Sequence, residues 1–162
     1  MNTFNFGMPE LSGASLCLML ILGSFAPTVS QDRLSYMPNP NLTPGDTLAV
    51  TKEDICDSRH EAFDRKIPVA VKRQVLDSYG IGPDMMGYNV DHLIPEKLGG
   101  SNSIKNLWPQ PLSSKWNHQR KNRLEQKLYE MVCSRAIELR QAQQEIAADW
   151  VKAYQKYIGN SE

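Results

Sequence analysis

Residues 89–110 read NVDHLIPEKLGGSNSIKNLWPQ. Tyr88 to His92 and Asn106 to Pro109 have the composition of short strands, and they bracket a KLGGSNSIK loop. Pro95, Gly99 and Gly100 mark where the chain turns between them. Asp91 and His92 are adjacent at the end of the first strand. Neighbouring side chains on an extended strand point to opposite faces, so the strand must end or bend here for both to serve one site.

Working outward, a helix is predicted from Pro68 to about Tyr79. Proline suits a first helical turn, Val71, Val75 and Leu76 recur at helical spacing, and Gly80 can end the element. Two further helices are predicted, at 113–133 and 138–158. Leu124, Leu128, Met131 and Val132 form the apolar stripe of the first. Leu139, Ala142, Ile146, Trp150, Ala153 and Tyr157 form that of the second. The fold class is therefore α+β with a mainly helical C-terminal half.

With 41% apolar and 22% charged residues in 162, the chain is expected to form one ordered domain, which excludes disordered and collagen-like classes. Its 18 basic and 18 acidic residues cancel, so attraction for a polyanion must come from local placement. Residues 11–26, LSGASLCLMLILGSFA, carry no charge and are followed by small and polar residues, the pattern of a signal peptide over 1–30 with cleavage near Ser30. A buried N-terminal helix is the alternative; a stable membrane span is not expected, because it needs about 20 apolar residues. Residues 31–47 hold Pro38, Pro40, Pro44 and Gly45 and read as a linker or loop before a domain at 48–162. Loss of the leader removes Cys17 and leaves Cys56 and Cys133, an even pair that in a secreted or periplasmic protein reads as a disulfide. His60 has no metal-spaced partner and reads as a surface residue.

The stretch VDHLIPEKLGGSNSIKNLWPQP, followed by KNRLEQKLYEMVC, resembles the HNH endonuclease family, small bacterial and phage nucleases in which two strands and a helix clasp one divalent metal. The likeness covers roughly residues 43–158 and departs from the common pattern at Lys97 and Asn122. It implies a ββα-metal core with flanking helices, Asp91 as a metal ligand, His92 as general base, and Asn106 as the residue that braces the base and its loop. It implies a further ligand on the following helix, where Asn117 and His118 are both available. On a wheel of about 100° per residue, Asn117 falls within the apolar stripe and His118 about 95° off it, so Asn117 is the expected ligand and His118 the fallback. An oxygen-rich site suits Mg²⁺ or Mn²⁺; a His118 ligand would shift the preference to Zn²⁺ or Ni²⁺.

The same helix carries Lys115, Arg120, Lys121, Arg123 and Lys127, which read as a phosphate track for DNA, with RNA left open. A solvated helix face partnered by Glu125 and Glu130 is the alternative. Trp108 and Trp116 are expected in the core rather than stacked on bases. The expected function is a metal-dependent endonuclease with little sequence specificity. Its rivals are a non-catalytic nucleic-acid-binding module on the same scaffold and a secreted toxin-type nuclease, the one reading that brings in an immunity protein.

Overall fold

The computed structural model describes Met1 and residues 36–57, 66–82 and 87–159. The expected signal peptide and His60 lie outside these residues. The described chain runs α1 (Lys52–Cys56), α2 (Val69–Ser78), β1 (Tyr88–His92), a 3₁₀ turn (Glu96–Leu98), β2 (Leu107–Pro111), α3 (His118–Cys133) and α4 (Leu139–Tyr157). This is a mixed α+β fold with four α-helices and a two-stranded antiparallel sheet among the described residues. Among the described residues no helix is long and apolar enough to cross a membrane.

The hairpin register pairs Val90 with Pro109, Asp91 with Trp108 and His92 with Leu107. Alternation then sends the two faces of the hairpin to different partners. Val90 and Leu107 bury against Val75 and Leu76 of α2. Trp108 joins the larger core, where Leu124, Leu128 and Val132 of α3 meet Ala142, Ile146, Trp150 and Tyr154 of α4. Trp116 stands edge-on to Trp150 and Tyr154, with ring centroids 5.8 and 5.6 Å away, so both tryptophans serve packing.

The Gly-Gly pair is dictated by crowding. Gly99 has φ +78°, and a Cβ there would stand 2.4 Å from Val50 Cγ2. A Cβ on Gly100 would lie 1.8 Å from the Ile94 carbonyl oxygen. Only residues without a side chain let the loop close on itself here.

Several expectations need correction. Residues 37–50 hold no helix or strand beyond a single bridge from Thr47 to Gly100, yet they are not a linker outside the domain. Thr43 is buried; its hydroxyl donates to the Leu107 carbonyl at 2.9 Å and accepts from the Tyr79 hydroxyl at 2.8 Å. The 48–162 boundary therefore cuts through a packed unit. The 113–133 helix begins only at His118, because Asn117 takes extended backbone (φ −90°, ψ 175°) and caps it. The short α1, which sequence reading passed over, is held by a capping box between Thr51 and Asp54. Helix α4 is interrupted at Asp149 (φ −165°, ψ 92°), whose carboxylate accepts from the Lys152 amide at 3.1 Å and restarts the helix.

Cys56 and Cys133 form a disulfide with Cα atoms 5.5 Å apart, tying α1 to the last turn of α3. It spans 77 positions in sequence. A loop of that length adds about 4 kcal/mol in the chain-entropy picture.

Candidate active site

The end of β1, the turn that follows it and Glu125 of α3 enclose a cleft of about 200 Å³ lined by Asp91, His92, Pro95, Glu96, Lys97 and Glu125. Asp91 and His92 share it because the strand ends at His92 and the chain bends through Leu93 and Ile94. His92 is buried, and its Nε2 meets Asn102 Oδ1 at 2.7 Å. An amide oxygen can only accept, so in this contact Nε2 is the donor, and in the neutral ring Nδ1 is then the nitrogen left to accept a proton.

Asn106 closes the loop behind them. Its Oδ1 accepts from the Ile94 amide at 2.9 Å, and its Nδ2 donates to the carbonyls of Ile94 (2.9 Å) and Ser101 (3.0 Å). Its own carbonyl accepts from the Leu93 amide at 2.7 Å. These bonds fix the backbone on both sides of the turn, so the position of His92 is set by the residues that follow it.

From α3, Lys121 reaches into the site with no exposed side-chain surface. Its ammonium donates to the His92 carbonyl and to Glu125 Oε1, and it is ion-paired with Asp91 Oδ2 at 3.2 Å. Among the described residues this ion pair is what meets the buried Oδ2, which makes no hydrogen bond of its own. Burial disfavours the ammonium, but Asp91 and Glu125 outweigh it and hold Lys121 above the usual lysine range. Burial likewise raises the Glu125 carboxyl; Lys121 opposes that rise and Asp91 adds to it.

No protein-family model, curated protein or solved structure matches the chain.

Of the residues singled out from sequence, Asp91 and His92 do meet in one cleft. Asn106 braces the loop, but the side chain that holds the His92 ring is Asn102. Neither Asn117 nor His118 lines the cleft. Asn117 precedes the helix, so a helical wheel does not place its side chain; its Oδ1 accepts from the Arg120 amide at 3.2 Å as the N-cap. His118 is exposed.

Lys121 is corrected from the phosphate track to the interior, since a fully buried ammonium cannot meet a phosphate in solvent. Arg120 stacks over Trp116 and Tyr154 at 5.3 and 5.8 Å and is only partly available. Lys115, Arg123 and Lys127 are exposed as expected. Sequence reading missed Asn102 and the role of Glu125.

Asn117→Ala is expected to lower stability by about 1 kcal/mol through loss of the cap. His118→Ala is expected to change little. Thermal unfolding of the two variants checks the ordering, and unchanged stability in Asn117→Ala would mean that the capping bond contributes nothing.

Proposed function

We propose that the chain is a metal-dependent endonuclease of the ββα, HNH type that hydrolyses phosphodiester bonds in DNA with little sequence specificity. The observation that carries this reading is the shared cleft, in which a carboxylate at 91 and an imidazole at 92 sit side by side with the ring's Nε2 held by Asn102. The order β1, β2, α3 is the order a ββα unit requires. Phosphodiester hydrolysis needs a base to take a proton from water, and His92, which lines the cleft, is the residue this reading assigns to that task.

The donors fit a hard ion rather than a protein-saturated site. Among the described residues no group of three His, Cys, Asp or Glu is arranged to hold a metal. Asp91 and Glu125 offer oxygens only, and Mg²⁺ or Mn²⁺ accepts one or two carboxylates with water completing its shell. Zinc and nickel lose their rationale once His118 lies outside the cleft. When bound, the ion supplies positive charge for the phosphate and the departing 3′ oxygen. Asp91 would hold it, with Glu125 lining the same cleft, and the exposed Lys115, Arg123 and Lys127 would take the flanking phosphates. The disulfide supports a working place outside the cytoplasm, secreted or periplasmic.

One observation favours a non-catalytic nucleic-acid-binding module instead. The Lys121 ammonium already pairs with both carboxylates. Plasmid nicking separates the two readings. Nicking is expected with Mg²⁺ or Mn²⁺, with little in Zn²⁺ and none in excess chelator. Plasmid binding without nicking in every metal would leave the binding module as the better reading.

A further inference from the structure

Three oxygens converge on the Lys121 ammonium: the His92 carbonyl, Glu125 Oε1 and Asp91 Oδ2. Two of these belong to the last two residues of β1, so one side chain from α3 pins the strand end that bears the proposed base and the proposed ligand. An isolated buried ammonium is strongly disfavoured, and this one is tolerated because two carboxylates and a carbonyl surround it. The Asp91 side chain is 27% exposed although its Oδ2 is buried. Its exposure therefore falls on the Oδ1 side, toward the cleft that Asp91 lines.

We infer that Lys121 is a positioning residue that engages Asp91 Oδ2, so that Asp91 presents Oδ1 alone to a divalent cation. This deepens the nuclease reading and rests on it. The charge count makes the consequence specific. Asp91, Glu125 and Lys121 together carry one net negative charge, two carboxylates against one ammonium. Removing the ammonium leaves two negative charges and both Asp91 oxygens open to chelation. A divalent cation then binds more tightly but in the wrong place. Tighter binding with slower turnover is a signature that a merely structural brace does not produce.

The test uses the purified full-length chain, with Mn²⁺ binding followed by electron paramagnetic resonance and nicking followed at steady state. Lys121→Met is expected to tighten Mn²⁺ binding by about tenfold, since a like charge leaves the site. It is expected to lower kcat by about 100-fold, the scale of a small misplacement of reacting groups, with KM for DNA little changed. Should that variant fail to fold, Lys121→Met/Glu125→Gln removes both buried charges together. The pair is expected to keep Mn²⁺ affinity within about threefold, because the net charge is restored, while kcat still falls by about 100-fold.

Wild-type kcat in either variant overturns the inference. So does Mn²⁺ affinity that falls together with kcat in Lys121→Met, which would make Lys121 a structural brace only. A wild-type chain that nicks no DNA removes the nuclease reading and this inference with it; nicking by the wild type with equal nicking by the variants removes the inference alone.

Discussion

His92→Ala is expected to lower DNA nicking by about 10²–10⁴-fold, the usual scale for loss of a general base, while DNA affinity changes little. The separation follows from where the ring sits. His92 is buried and lines the cleft with Nε2 engaged by Asn102, whereas Lys115, Arg123 and Lys127, on α3 and the approach to it, are exposed. Truncating the ring removes the proton acceptor and leaves those cations in place. Turnover at saturating plasmid, measured beside a filter-binding isotherm in chelator, gives both quantities. A variant that turns over like the wild type would remove His92 from the proposed chemistry, and a parallel fall in affinity would place it in binding instead.

Much of this arrangement is legible in the amino-acid sequence. Strand β1 is readable to the residue, and the stripe of Leu124, Leu128 and Val132 falls on the buried face of α3, because periodicity reports which side of an element meets the core. The Gly-Gly turn is visible too, although what it approaches, the Ile94 carbonyl, is not. The harder cases are residues whose role depends on a distant partner. Lys121 reads as one of several solvated cations, yet its wheel position, about 140° from Trp116, lies inside the apolar stripe. A lysine within such a stripe is a signal of a buried ion pair, here with a carboxylate on another element. Asn102 sits in a loop with no periodicity to read. The prolines of residues 38–44 read as a linker because they limit local structure; the burial of Thr43 comes from Tyr79 and Leu107, far away in sequence. The interruption of α4 at Asp149 is a local effect, an aspartate that bonds a nearby backbone amide instead of continuing the helix.

Asn106→Ala is expected to cost about 4 kcal/mol of stability, because it strips three buried backbone groups of their partners at about 1–3 kcal/mol each. The groups are the Ile94 amide, the Ile94 carbonyl and the Ser101 carbonyl, and Asn106 itself has no solvent exposure. Gly100 packs so closely that a Cβ there would stand 2.8 Å from Asn106 Nδ2, so neighbouring backbone crowds the space that relaxation would need. Asn106→Asp is no rescue: it keeps the acceptor for the Ile94 amide but turns the donor toward two carbonyls into another oxygen. Because the Asn106 carbonyl also accepts from Leu93, the residue after His92, loosening this loop is expected to carry the imidazole with it. Urea unfolding gives the stability change, and nicking measured at a temperature where the variant remains folded gives the effect on the site. A loss below about 1 kcal/mol would show that the loop finds other partners for those groups and that Asn106 is not what holds it.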